Sequence, residues 1–117
     1  MGEAYIVDAV RTPTGRRRGS LQEIHGADLG AHVIKELVTR NVVPETEFDD
    51  VIFGCVDAVG SLAGNIARTC WLTAGFDLTV PGVTIDRQCG SSQQAVHFAA
   101  QAVMSGTQDI VIAGGVE

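Results

Sequence analysis

Apolar and polar positions change their period several times along the chain, and each change predicts an element. Residues 4–10, AYIVDAV, form a short apolar run that predicts a buried strand. Residues 11–19 carry turn chemistry at Pro13 and Gly15. Leu29, Val33, Ile34 and Leu37 then recur at helical spacing. They predict a helix over 28–40, with Asp28 as N-cap and with Asn41 and Pro44 closing it. A second strand is predicted over 50–56. Gly60 and Gly64 loosen the path to a short helix over 65–74, ended by Gly75. A third strand covers 80–86 and a helix follows at once over 89–104, with Gly106 as its C-terminal cap. A fourth strand covers 110–113, tipped by Gly114-Gly115.

The order β-α-β-α-β-α-β predicts an α/β fold built on a mainly parallel sheet with right-handed crossovers. No repeat or linker divides it. The last long helix is apolar almost all round: Ala95, Val96, Ala99, Ala100 and Val103 share one face, and Phe98, Ala102 and Met104 extend it. Such a helix is expected to be buried, with layers on both sides. A chain of this length cannot supply both layers. In open α/β sheets the chemistry lies beyond the carboxyl ends of the strands. A chain that stops at Glu117, just past such an end, is therefore expected to be part of something larger.

Composition sharpens this picture. Apolar residues make up 45% of the chain, aromatics only 5%, and 14 residues are glycine, so close packing of small side chains is expected. The net charge of −6 excludes a general nucleic-acid binder. One basic cluster, Arg11, Arg16, Arg17 and Arg18, reads as a solvated loop or as a contact for an anionic partner. Cys55, Cys70 and Cys89 stand 15 and 19 positions apart. They form neither a C-x-x-C zinc pair nor a disulfide framework, which fits a reducing, cytoplasmic setting. No secretory signal is visible, and no apolar run approaches the ~20 residues of a membrane helix.

The stretch Ile85-Asp86-Arg87-Gln88-Cys89-Gly90-Ser91-Ser92 sets a cysteine at the junction of a strand and a helix. The first-turn N–H groups of a helix have no partner within it, and with the helix dipole they favour negative charge. A thiol in that setting ionises more readily, and the same groups can stabilise an oxyanion. The alternative reading of any cysteine is a small apolar filler. That reading suits Cys55, inside a strand, and Cys70, on a short helix, and on position alone it stays open for Cys89, which is either structural or served by a base elsewhere. A thiol nucleophile needs a base. His97 lies eight positions after Cys89, ~12 Å along a helix, too far for a hydrogen bond. It reads as a packing residue, and His25 and His32 read as surface residues. No dinucleotide or phosphate loop is present, and no G-x-S-x-G elbow.

Asp86-Arg87-Gln88-Cys89-Gly90-Ser91-Ser92-Gln93-Gln94-Ala95-Val96 resembles the nucleophile segment of thiolases. Three further stretches match the same family in order. Arg11-Thr12-Pro13 with Gly15 resembles its R-T-P-x-G, and Gly64-Asn65-Ile66-Ala67-Arg68 its G-x-N-x-A-R. Ala113-Gly114-Gly115-Val116-Glu117 resembles its A-G-G-x-E. The resemblance implies a layered α-β-α-β-α fold made of two similar halves and an inserted loop domain. Residues 1–117 are then most of the first half, with the loop domain and C-terminal half outside this chain. It implies an acyltransferase that moves acetyl or acyl groups to or from coenzyme A, by thiolysis of 3-ketoacyl-CoA or the reverse Claisen condensation, as in β-oxidation. Cys89 would take the acyl group as a thioester, and its backbone N–H would belong to an oxyanion hole.

The family's activating histidine and acid/base cysteine lie in the C-terminal half, so this chain alone is expected to be inactive. Coenzyme A and acyl-CoA enter as substrates, and no permanently bound cofactor or metal is implied. A homodimer or homotetramer is implied, with the strand over 80–86 near the dimer interface. Asp86 stands where Asn is frequent, and Gln93 where Leu is common, which bears on the substrate subclass. A ketoacyl synthase shares the fold, but Arg87-Gln88 before the cysteine disfavours it. Cys89 itself argues against a non-catalytic, lipid-binding relative.

Overall fold

A computed structural model describes residues 2–117. The elements run α1 (Gly26–Asn41), β1 (Asp50–Gly54), α2 (Ile66–Thr73), β2 (Gly82–Ile85), α3 (Ser91–Met104) and β3 (Val111–Gly115), with short 3-10 turns at Glu45–Glu47 and Gly60–Leu62. The three strands form one parallel sheet in the order β2-β1-β3. β1 is central: Ile52 aligns with Val83 of β2 on one side and with Ala113 of β3 on the other. The α/β class and the parallel sheet expected from the sequence are both present.

Strand alternation decides which layer each side chain joins. Val51, Phe53 and Cys55 point to the layer of α1 and α2, where they meet Ile34, Val38, Ile66, Cys70 and Trp71. Ile52 points the other way, to Ala95 and Ala99 of α3. Trp71 anchors the larger layer. Its ring lies 5.8 Å from Phe48, edge-on, and 4.9 Å from Phe76, and its Nε1–H donates to the Asp77 carbonyl at 2.8 Å. Burying an indole with its one donor satisfied is among the most favourable contacts a small core can make. The helices approach closely because of glycine: a Cβ at Gly30 would sit 2.3 Å from the Cys70 sulfur.

The expected first strand is the main departure. Residues 4–10 pair with no strand, and Tyr5, Ile6 and Val7 are 76%, 81% and 84% exposed. The segment is tied at points instead. Gly2 N–H donates to the Met104 carbonyl, and the Asp8 carboxylate accepts from Arg40 and Asn41. Its residue types suit a strand, but a strand also needs an adjacent edge to bond. A groove of about 680 Å³ lies between residues 10–17, α1 and the end of β3. The observed order is therefore α-β-α-β-α-β.

Smaller departures are also physical. Helix α1 starts two residues before Asp28, because the His25 side chain accepts the Ala27 N–H at 3.2 Å and serves as N-cap. Asp28 falls in the first turn. Helix α3 starts at Ser91, not Cys89, and only Ser91, Gln94, Ala95 and Ala99 are buried on it. Val96 and Phe98 remain 38% and 40% exposed and His97 is exposed, so His97 is not a packing residue of this chain. The sheet covers one side of α3, and among the described residues no helix or strand covers the other. Gly106 ends α3 as expected, with φ +77. No helix is long and apolar enough to cross a membrane among the described residues.

Candidate active site

Cys89 sits at the tip of a tight turn between β2 and α3. The turn is built almost wholly from its own hydrogen bonds. Asp86 Oδ1 accepts the Gln88 N–H at 2.8 Å. Gly90 N–H donates to the Arg87 carbonyl at 3.0 Å, and Ser91 N–H to the Gln88 carbonyl at 3.1 Å. Gln88 takes a left-handed backbone, φ 50, which a side chain larger than glycine rarely adopts. The Ser91 hydroxyl accepts from Arg87 N–H at 2.8 Å and donates to the Gln88 carbonyl at 2.6 Å. Ser91 is 5% exposed, whereas Cys89 is an exposed, free thiol.

The first turn of α3 is laid directly on the carboxyl ends of β1 and β3. A Cβ at Gly54 would lie 2.3 Å from the Ser92 nitrogen, and one at Gly115 would lie 2.9 Å from the Ser92 Cβ. Only glycine admits the helix end so close to the sheet. No acceptor among the described residues meets the N–H groups of Ser92 or Gln93, the usual state of a first helical turn.

Cys89 opens on a cleft of about 510 Å³, walled by Gly54, Val56 and Asp57 on one side and by Gly115, Val116 and Glu117 on the other. The Glu117 carboxylate bridges these walls. It accepts Val56 N–H at 2.8 Å and Asp57 N–H at 2.7 Å, one on each oxygen. The Cys55 sulfur lies 4.0 Å from it.

The three thiols are not equivalent. Cys55 and Cys70 are buried. Burial pushes the Cys55 thiol up, and the charges of Glu117, Asp57 and Asp86 add to that. Burial pushes Cys70 up to about 11. Neither is poised to act as a nucleophile, as the sequence reading expects. Cys89 alone meets solvent. The cleft walls carry no histidine, lysine or arginine. His25 caps α1, and His32 and His97 are exposed on α1 and α3. Arg11, Arg16, Arg17 and Arg18 are exposed in the loop before α1, outside the cleft.

Sequence reasoning singles out Cys89 but not Ser91 or Glu117 as parts of the site. Ser91 looks like any polar residue at a helix start. Glu117 meets its partners across 61 and 60 positions.

The family model described as "Thiolase, N-terminal domain" matches residues 4–117. The chain is 59% identical over 117 residues to the steroid 3-ketoacyl-CoA thiolase FadA6 of Mycobacterium tuberculosis, aligning all of this chain with 29% of that protein. It is 46% identical over 118 residues to the 3-oxoadipyl-CoA/3-oxo-5,6-dehydrosuberyl-CoA thiolase of Escherichia coli, again over 100% and 29% of the two chains. Among solved structures, the Bacillus anthracis acetyl-CoA acetyltransferase superposes with a TM-score of 0.93 at 42% identity, covering 100% of this chain and 29% of that one. The chain thus spans less than a third of these relatives' length. It belongs to the thiolase family, within the N-terminal domain.

Proposed function

We propose that this chain carries the acyl-accepting centre of a thiolase acting on 3-ketoacyl-CoA, with Cys89 as the nucleophile. The observation that carries the reading is the contrast among thiols: one exposed cysteine at the mouth of a cleft and at a helix N-terminus, beside two buried ones. The Cys89 sulfur attacks the 3-keto carbon of the substrate. The bond between C2 and C3 breaks, its electron pair passes to C2, and C2 is protonated to give acetyl-CoA. The rest of the acyl chain stays on Cys89 as a thioester. The thiol of a second coenzyme A then attacks that thioester, releases acyl-CoA and restores Cys89. The Cys89 backbone N–H donates to the acyl oxygen, where negative charge develops.

Both half-reactions need a group to take and return the thiol proton. Besides Cys89 the cleft walls hold two ionisable side chains, Asp57 and Glu117, no histidine is among them, and Glu117 is committed to two N–H donors. On this reading a histidine and a second thiol from outside these 117 residues supply the base and the acid, and the isolated chain is expected not to turn over. Coenzyme A is bound largely by those other parts. Strand β2 is an end strand of the sheet among the described residues and carries an exposed Val83, which supports pairing with a second copy in a dimer or tetramer. The names of the relatives support a CoA-thioester substrate and span steroid and dicarboxylic acyl groups, so the family match does not select one acyl chain.

The test is CoA-dependent cleavage of a 3-ketoacyl-CoA by the protein at its natural length. Cys89→Ala lowers kcat by at least about a thousandfold, the usual loss on removing a covalent nucleophile. Turnover within tenfold of the parent would contradict the assignment.

A further inference from the structure

We infer that Ser91 is a positioning residue for Cys89: its buried hydroxyl holds the Arg87–Gln88 backbone in the left-handed turn that aims the thiol into the cleft. The inference rests on the reading of Cys89 as the acyl acceptor.

The Cys89 side chain has no hydrogen-bond partner of its own among the described residues, so the direction of its sulfur follows from the backbone on either side. After Cys89, Gly90 N–H is tied to the Arg87 carbonyl. Before it, Asp86 Oδ1 accepts the Gln88 N–H and the Ser91 N–H donates to the Gln88 carbonyl, but a single side-chain atom reaches both Arg87 and Gln88. Ser91 Oγ accepts from Arg87 N–H at 2.8 Å and donates its one proton to the Gln88 carbonyl at 2.6 Å. These bonds close a loop of five residues with Cys89 near its centre. Gln88 at φ 50 is the strained member of that loop. A residue with a Cβ stays in that region only where its surroundings over-determine it, and the Ser91 hydroxyl is one of the groups that do so here. Ser91 is 5% exposed and its donor is already used, so it has no proton to offer a substrate. Its effect reaches the chemistry through Cys89.

The strain makes the idea separable from a plain loss of packing. Glycine adopts a left-handed backbone without cost. With glycine at position 88 the turn no longer needs the serine to hold it, so removing the hydroxyl costs less. The experiment is a double-mutant cycle in the protein at its natural length, with Ser91→Ala, Gln88→Gly and the pair. It reads kcat, the KM for coenzyme A and the rate at which acyl-CoA acylates Cys89. S91A is expected to lower kcat and the acylation rate by about thirtyfold, the scale of a sub-ångström misplacement, with KM for coenzyme A unchanged. In the Q88G background the same change is expected to cost about threefold or less.

Ser105→Ala removes a hydroxyl at the far end of α3, where it bonds the Ala102 carbonyl and the Thr107 hydroxyl, and serves as the control expected to leave kcat unchanged. S91A at the parent's kcat, or an equal loss in both backgrounds, would overturn the inference. If S91A folds poorly, the comparison of Q88G/S91A with Q88G remains decisive: a loss of thirtyfold there overturns it, and a loss of threefold or less supports it. Cys89→Ala is run alongside. Full turnover in that variant sinks the nucleophile reading and this inference with it. An inactive C89A beside a fully active S91A sinks only the inference.

Discussion

Gly54 ends the central strand directly beneath Ser92, and a methyl group placed on it would lie 2.3 Å from the Ser92 nitrogen. The atoms in the way are backbone, so no side chain can swing aside. Gly54→Ala must lift the first turn of α3 off the sheet or bend β1. Overpacking against backbone costs about 3 kcal/mol. We expect a urea midpoint lowered to match, with m unchanged, and a further loss of turnover because Cys89 moves with the helix end. A variant as stable and as active as the parent would show that the helix end is free to shift.

The Glu117 carboxylate holds the chain after β1 by the N–H groups of Val56 and Asp57, using one oxygen for each. Glutamine offers a single oxygen, and its amide nitrogen would face the other N–H. Glu117→Gln should therefore keep one bond and lose the other, destabilising by about 1 kcal/mol, and Glu117→Ala by about twice that. Both variants should also slow acyl transfer, because Val56 and Asp57 wall the cleft. Equal stability of E117Q, E117A and the parent in urea would mean that the two bonds contribute nothing net.

Asp49 joins the start of β1 to the approach to β3: its carboxylate accepts from Asp109 N–H at 2.6 Å and Ile110 N–H at 3.1 Å. Those two bonds hold its pKa below the ordinary 3.8. A carboxyl depressed in the folded state contributes stability that is complete above its unfolded pKa. That contribution is lost as pH falls through the folded value. Asp49→Asn should be less stable than the parent at pH 7, and the gap should close below about pH 4. The group is largely exposed, so the gap is small and shrinks with salt. Melting curves of both proteins between pH 2 and 7 check this; parallel curves would contradict it.

The contrast among thiols predicts an order of alkylation. Cys89 is exposed, whereas Cys55 and Cys70 are buried with raised pKa values, Cys70 to about 11. At pH 8 only about one Cys70 in a thousand is thiolate, even before access is counted. Iodoacetamide at neutral pH should label Cys89 first, by more than a hundredfold in rate, and the other two only after denaturation. Early labelling of Cys55 would show that the Glu117 clamp opens readily.

Much of this site is legible in the sequence. The apolar runs around 50–56, 80–86 and 110–113 are real strands, each trimmed or shifted by a residue or two, and the run is clearest in central β1, which is covered on both faces. The strand-turn-helix reading that puts Cys89 at the head of α3 holds to within two residues. The failures share a cause. Tyr5, Ile6 and Val7 have the composition of a strand, but pairing depends on which edge lies beside them, and no local pattern encodes that. His25 is at the surface as expected, but Asp28 reads as the N-cap until the His25 ring nitrogen is seen to accept the Ala27 N–H. Ser91 reads as a helix start, and only the folded turn reveals two hydrogen bonds on one hydroxyl. Glu117 and Val56 are separated by 61 positions. The sequence signals a motif there, but not what the carboxylate holds.

The most direct test of the account is to find the acyl group. The protein at its natural length is mixed with acyl-CoA in the absence of free coenzyme A, quenched in acid, digested and mapped by mass spectrometry. The account predicts one acyl group per chain, on the peptide containing Cys89. It should be removed on adding coenzyme A and absent from Cys89→Ala. An acyl group on Cys55 or Cys70, or steady turnover by the Cys89→Ala protein, would contradict it.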